Sequence, residues 1–75
     1  MDDLGGREIL LLPAGAVVSG HKGLASLSSQ EIGVRLREGI ALFSGEGLRL
    51  EKASPSEIFI SGRIRSVILP EKEES

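Results

Sequence analysis

The stretch that decides the fold is Ile32–Phe43, which reads I-G-V-R-L-R-E-G-I-A-L-F. In its first half Ile32, Val34 and Leu36 are separated by single glycine or arginine residues. Successive side chains of a β-strand point to opposite faces, so this period of two is typical of a half-buried strand. The apolar run then resumes after a charged pair and a glycine. The stretch therefore predicts two strands joined by a tight turn.

A helix competes with this interpretation. Ser28–Glu31 has the S-x-x-E form of a capping box, and apolar residues follow at helical spacing within Ile32–Ile40. However, Gly33 and Gly39 would each cost about 1 kcal/mol inside such a helix. Ile32, Val34 and Leu36 also alternate strictly with Gly33, Arg35 and Arg37, which is the strand period, so we predict a strand.

The register of this hairpin follows from its apolar pattern. If Arg37–Gly39 is a three-residue loop with a bulge at its glycine, Leu36 falls opposite Ile40 and Val34 falls opposite Leu42. The apolar residues of both strands then share one face, whereas a slip of one residue mixes the faces.

Further turns are predicted at Ser44–Glu46 and around Ser54–Ser56, where glycine, proline and serine cluster. The first of these turns would place Leu42 opposite Leu48. The apolar face would then continue across four strands, as in a β-meander.

The remaining strands are shorter or less certain in extent. Glu8–Leu12, Ala16–Ser19 and Leu24–Leu27 read as three short strands that could form a second layer over the apolar face. Ser61-Gly62 is compatible with a turn, or with a bulge inside one longer strand that runs to Leu69.

These elements predict an all-β fold: a small antiparallel meander or β-sandwich of about seven to eight short strands joined by glycine-containing hairpins. Residues 1–6 are expected to be a frayed lead, residues 7–69 a single domain and residues 70–75 a charged tail.

Composition limits the chemistry of the chain. Its 75 residues contain no cysteine and one histidine, which excludes disulfides and thiolate metal sites, and we expect no metal and no cofactor. A chain of this length buries only about 60% of its unfolded surface, so homo-oligomer formation is expected to add buried area. The net charge of −2 with scattered basic residues argues against nucleic acid as a partner.

Catalysis is not expected. Carboxylates occur at outward strand positions or turns, and no pattern places a nucleophile and an orienting residue beside His21. His21 itself lies between Gly20 and Gly23, so a polar turn residue is a simpler interpretation than a ligand or partner contact. Ser44–Gly47 lacks the G-K-[ST] ending and the helix of a phosphate-binding loop, and is predicted to be a hairpin turn.

The acidic N-terminus and the absence of a long apolar run predict a cytosolic protein without direct membrane insertion.

The chain's aromatic residues mark a candidate contact surface. In the predicted register Arg35, Phe43, Arg49 and Phe59 leave the main apolar face together. Either the N-terminal strands cover them, which would make them a second inner face, or they form a mixed Phe/Arg surface that binds a partner. The sequence leaves both possibilities open.

The stretch GHKGLASLSSQEIGVRLREGIALFSGEGLRLEKASPSEIFISGRIRSVIL resembles the YabP/YqfC family of small sporulation proteins from endospore-forming bacteria. The similarity covers about three quarters of the chain. The family positions are filled here by Gly39, Gly45, Leu48, Glu57, Ile58, Ile60, Gly62 and Ile64. The His-Lys-Gly at His21–Gly23 is closer to the YqfC branch.

This resemblance implies a β-rich, non-catalytic protein of the mother-cell cytoplasm that acts in sporulation through protein–protein contacts. YqfC-type proteins are typically encoded beside a membrane protein, so the implied partners include a membrane-bound one. The alternative is a small β-module that binds single-stranded nucleic acid or polysaccharide through the Phe/Arg face.

Overall fold

A computed structural model describes residues 8–70. These residues form six strands: β1 (Glu8–Leu12), β2 (Gly15–Ser19), β3 (Leu24–Leu27), β4 (Glu31–Leu36), β5 (Gly39–Ala53) and β6 (Glu57–Ile68). The predicted all-β class is confirmed, and the three N-terminal strands lie within one residue of their predicted bounds. Within residues 8–70 there is no helix of the length and apolarity that crossing a membrane requires. The predicted lead and most of the predicted charged tail lie outside the described residues.

All six strands form one antiparallel sheet in the order β1-β2-β6-β5-β4-β3. The strands are fewer than the predicted seven to eight because β5 has 15 residues and β6 has 12. β5 runs through Ser44–Glu46, so the turn predicted there, and the pairing of Leu42 with Leu48, are wrong. Ser61-Gly62 lies inside β6, and the turn around Ser54–Ser56 is confirmed.

Because β5 and β6 are long, each contributes to two halves of the sheet. The β1–β2 half contains β1, β2, residues 57–61 of β6 and residues 49–53 of β5. The β3–β4 half contains β3, β4, residues 39–44 of β5 and residues 64–68 of β6. The short N-terminal strands therefore border both ends of one sheet and do not form a separate layer.

One core lies between the two halves. Its fully or almost fully buried side chains come from both halves and form a single cluster: Ala16, Val18, Ile58 and Ile60 from the β1–β2 half, Ile32, Val34, Leu36, Ala41 and Phe43 from the β3–β4 half, and Leu48 between them. No helix or second sheet is available within residues 8–70 to cover either half. The sheet therefore folds so that each half covers the other, which gives the domain the inner face of a sandwich.

The register of the β4–β5 hairpin differs by one residue from the predicted register. Leu36 pairs with Gly39 across a two-residue loop, and Val34 pairs with Ala41. Phe43 consequently points into the core with an exposed fraction of 0%, while Leu42 moves to the opposite side. Both faces of β5 carry apolar residues at this point, so alternation alone could not choose between the registers. Burying the large phenylalanine ring is the more favourable choice.

Glycines allow the two long strands to bend where the halves meet. At Gly45 an added Cβ would lie 1.9 Å from the carbonyl oxygen of Arg63, and at Gly62 it would lie 2.5 Å from the carbonyl oxygen of Gly47. Gly62 also has a φ of 121°, and the pairing register shifts beside it, between Glu46 and Arg49. The glycines interpreted as a hairpin turn are therefore part of a bulged bend within a continuous strand.

Two of the hairpin loops are closed in the same way by a serine. The Ser28 hydroxyl accepts the backbone N–H of Glu31 at 3.0 Å, and the Ser54 hydroxyl accepts that of Glu57 at 3.0 Å. In each loop the serine N–H also donates to the glutamate carbonyl, at 2.9 Å and 2.8 Å respectively. The S-x-x-E pattern that resembles a helix cap therefore closes the β3–β4 and β5–β6 hairpins.

Candidate contact surface

We use "outer face" for the side of the sheet that is turned away from the core. The structure separates the four residues predicted to form one contact surface. Phe43 is buried in the core, so it takes no part in any surface of the described domain. Arg35 is exposed on the outer face of the β3–β4 half. Arg49 and Phe59 both lie on the outer face of the β1–β2 half.

Phe59 is the aromatic residue that remains accessible. It is half-buried on β6, between Val17 of β2 and Lys52 of β5, which are its register partners. Arg49 pairs with Ser61, two residues further along β6. The Ser61 hydroxyl donates to the Glu51 carboxylate at 2.7 Å.

Phe59 lines a cleft of about 420 Å³. The residues that line it are Leu12, Val17, Lys52, Ala53, Ser54, Glu57, Ile58 and Phe59. They provide apolar carbon atoms together with one cationic and one anionic side chain. A concave apolar surface with a few charged groups suits the insertion of an apolar side chain whose neighbours are polar.

The carboxylate of Glu57, which lines the cleft, has a hydrogen-bond partner within the sheet. The Ser19 hydroxyl lies 3.5 Å from the Glu57 carboxylate, at the long limit of a hydrogen bond. Ser19 and Glu57 are register partners on β2 and β6, so the sheet holds both side chains on the outer face. The position of this acidic group is thus set by adjacent strands and by the Ser54 turn.

A second apolar patch lies on the outer face of the β3–β4 half. Leu42 pairs with Ile68 across β5 and β6, and Ile40 lies two residues along the same strand. Gly33 has no side chain, and a Cβ built there would lie 3.3 Å from Leu42 and 3.4 Å from Ile40. The two apolar side chains therefore cover the bare backbone of β4. Ile40 and Ile68 are nevertheless 42% and 57% exposed.

Arg35 borders this second patch. Its register partner is Ile40, and its side chain is exposed. Its backbone is fixed on the other side, where its N–H donates to the Gly23 carbonyl at 2.8 Å and its carbonyl accepts the Lys22 N–H at 2.7 Å. Arg35 and Phe59 thus belong to different halves of the sheet and do not form one mixed Phe/Arg surface.

His21 connects two loops. Its Nδ1 accepts the Gly23 N–H at 2.9 Å, so the ring proton is on Nε2, which donates to the Ser54 carbonyl at 2.8 Å. The ring therefore ties the β2–β3 connection to the β5–β6 loop. This geometry supports the interpretation of His21 as a structural turn residue.

The other charged groups among residues 8–70 offer little as a binding site. Arg65 and Glu46 form an ion pair at 3.1 Å, with both side chains 61% exposed, and such pairs contribute little to stability. Over residues 8–70, no group of three or more His, Asp or Glu side chains is arranged to hold a metal ion.

Sequence reasoning found Phe59 and missed its neighbours. Leu12, Val17 and Lys52 complete the cleft, and they belong to three other strands. Their outward positions follow from alternation once β1 and β2 are placed beside β6. That placement is the information that one sequence lacks, because nothing local states which strand pairs with the start of β6.

Comparison of the chain with protein-family models, curated proteins and solved structures gave no match.

Proposed function

We propose that this chain is a non-catalytic protein-binding domain that acts in spore formation through the outer face of its sheet. The observation that carries the proposal is the apolar cleft around Phe59, which lies on an exposed sheet face. Clefts lined by apolar side chains, an aromatic residue and a few charged groups are typical of protein–protein contacts.

The sporulation role rests on the resemblance to the YabP/YqfC family. The all-β fold agrees with what that resemblance implies. In this proposal the domain works in the mother-cell cytoplasm, and its partner is a protein, with a membrane-bound protein as the leading candidate. Self-association accompanies the partner contact, because a small domain gains buried area in this way.

The two patches suggest a division of contacts. The cleft offers a pocket for an inserted apolar side chain, while the patch of Ile40, Leu42 and Ile68 exposes two large apolar side chains to solvent. Surface patches of this kind on a small domain mark interaction sites. Of the four predicted contact residues, Phe59 lines the cleft, Arg49 lies on the same face of the β1–β2 half, and Arg35 borders the second patch.

Binding of single-stranded nucleic acid or polysaccharide is the weaker candidate. It requires a platform of rings on which bases or sugars stack. Phe43 lies in the core, so only Phe59 is left to stack, and Arg35 is on the other half of the sheet.

The proposal predicts a sporulation defect. Deletion of the gene in an endospore-forming host should lower the count of heat-resistant spores, and the wild-type gene should restore it. A Phe59→Ala variant should restore it poorly, whereas an Arg37→Ala variant, altered at an exposed turn of the other half, should restore it fully. Normal spore counts in the deletion strain would overturn the biological role.

A further inference from the structure

β1 is an edge strand with unusual composition. In the described part of the chain it pairs on one side only, with β2. Its sequence is E-I-L-L-L, and Leu10, Leu11 and Leu12 are 53%, 58% and 38% exposed. Native edges are normally protected by charges, proline or bulges, because their free N–H and C=O groups pair readily with another strand. β1 has a regular register with β2 and no such device among its four apolar residues.

The hydrogen bonds of β2 show which backbone groups of β1 are free. The Ala14 carbonyl accepts from Gly62, and the Gly20 N–H donates to Ser56, so the even-numbered residues of β2 face β6. The backbone of a strand points alternately to its two neighbours. The odd-numbered residues of β2 therefore face β1, where Val17 is the partner of Leu10. It follows that the N–H and C=O groups of Ile9 and Leu11 point away from the sheet.

This pattern is complementary to itself. We propose that two copies of this chain pair β1 with β1 in an antiparallel arrangement around a two-fold axis at Leu10. In this register the free backbone groups of Ile9 meet those of Leu11 in the other copy, on both sides of the axis. The two Leu10 side chains face each other on the outer face. The six-stranded sheets then continue into one sheet across the dimer.

Charge does not oppose this pairing. Glu8 lies two residues from the axis and would face Leu12 of the other copy. The two Glu8 residues are then about 14 Å apart along the strands, at roughly 3.4 Å per residue. That separation exceeds the Debye length of about 8 Å at physiological salt, so their repulsion is screened.

The other edge of the sheet is less suited to self-pairing. β3 has four residues, and its pairing with β4 is interrupted by a register shift between Leu24 and Ser26. Short and bulged edges resist the addition of a strand. A dimer through β1 thus covers the regular apolar edge and leaves the irregular edge exposed. One strand per copy makes a small interface, so the dimer should be weak and should depend on protein concentration.

The two edges also supply a matched pair of variants. Leu11→Pro removes an N–H that points away from the sheet, which an edge strand tolerates. Leu27→Pro does the same at the other edge, because the Ser28 N–H bonds to Glu31 and the N–H of Leu27 therefore points outward. Leu27 is 54% exposed, close to the 58% of Leu11. Leu11→Lys and Leu27→Lys are a second pair that keeps every backbone donor.

The test is sedimentation equilibrium of the purified chain over a range of concentrations, with circular dichroism to confirm the fold of each variant. The wild type and both Leu27 variants should convert from monomer to dimer. Leu11→Pro and Leu11→Lys should weaken dimerisation by at least about tenfold, since each change acts twice across the axis.

A wild type that stays monomeric at millimolar concentration would refute the inference. So would Leu11 variants that dimerise like the wild type, or Leu27 variants that lose the dimer. This inference deepens the proposed self-association, and its outcome does not depend on spore counts, so each can fail separately.

Discussion

At the residue scale, Phe43 sets the register of the central hairpin. The segment I-A-L-F at residues 40–43 offers an apolar side chain to both faces of β5. The structure buries Ala41 and Phe43 and turns Ile40 and Leu42 outward. On the inner face the small Ala41 lies two residues from the large Phe43. On the outer face Ile40 and Leu42 cover Gly33. One ring therefore decides which of two similar patterns becomes the core.

This assignment predicts unequal effects of two neighbouring substitutions. Phe43→Ala should lower the free energy of unfolding by about 3–5 kcal/mol, because it opens a cavity in the core. For a domain of about 5 kcal/mol total stability this leaves a substantial unfolded fraction. Leu42→Ala, at a half-buried outward position, should cost about 1–2 kcal/mol. Urea denaturation followed by circular dichroism measures both values, and the reverse order would support the register predicted from the sequence.

At the element scale, the two long strands depend on their bend. Gly62 has a positive φ, and its Cα lies against the backbone of Gly47. The bend brings the β1–β2 half over the β3–β4 half, so the core depends on it. Ser54 closes the β5–β6 hairpin, and the ring of His21 fastens that loop to the β2–β3 connection.

Gly62→Ala tests the bend, and Gly23→Ala is its control. Both glycines have a φ of 121°, so both substitutions strain the backbone by about 1 kcal/mol or more. A Cβ at Gly23 meets no atom within 4 Å, whereas one at Gly62 would lie 2.5 Å from a carbonyl oxygen. Gly62→Ala should therefore lower the free energy of unfolding by at least about 2 kcal/mol more than Gly23→Ala. Equal losses in thermal or urea unfolding would show that the backbones do not meet there.

Local patterns predicted the strands better than they predicted the strand connections. Short apolar runs between turn residues placed β1, β2 and β3 within a residue, and alternation did the same for β4, because both signals are local. The glycines at residues 45 and 47 led to the wrong prediction of a hairpin turn, since a residue without a side chain serves equally in a turn and in a close backbone contact. The candidate site was predicted in part. Phe59 was chosen for its aromatic character, but the cleft around it depends on long-range pairing that no local pattern contains.

At the scale of the whole molecule, the domain has one core and apolar residues left over outside it. Seven large apolar side chains among residues 8–70 are more than a third exposed. They concentrate on the β1 edge, on the second apolar patch around Ile40 and Ile68, and at the ends of β3 and β6. These side chains form the surfaces through which the proposed partner contact and self-association would occur.

Site-specific photo-crosslinking in sporulating cells measures the proposed partner contact most directly. A photoreactive phenylalanine analogue would replace Phe59 in the cleft or, as a control, Arg37 at the β4–β5 turn. Since an apolar side chain of the partner is proposed to enter the cleft, position 59 should give an adduct with one protein, identified by mass spectrometry, and position 37 should not. No adduct from position 59, or the same adducts from both positions, would contradict a contact through the outer face of the sheet.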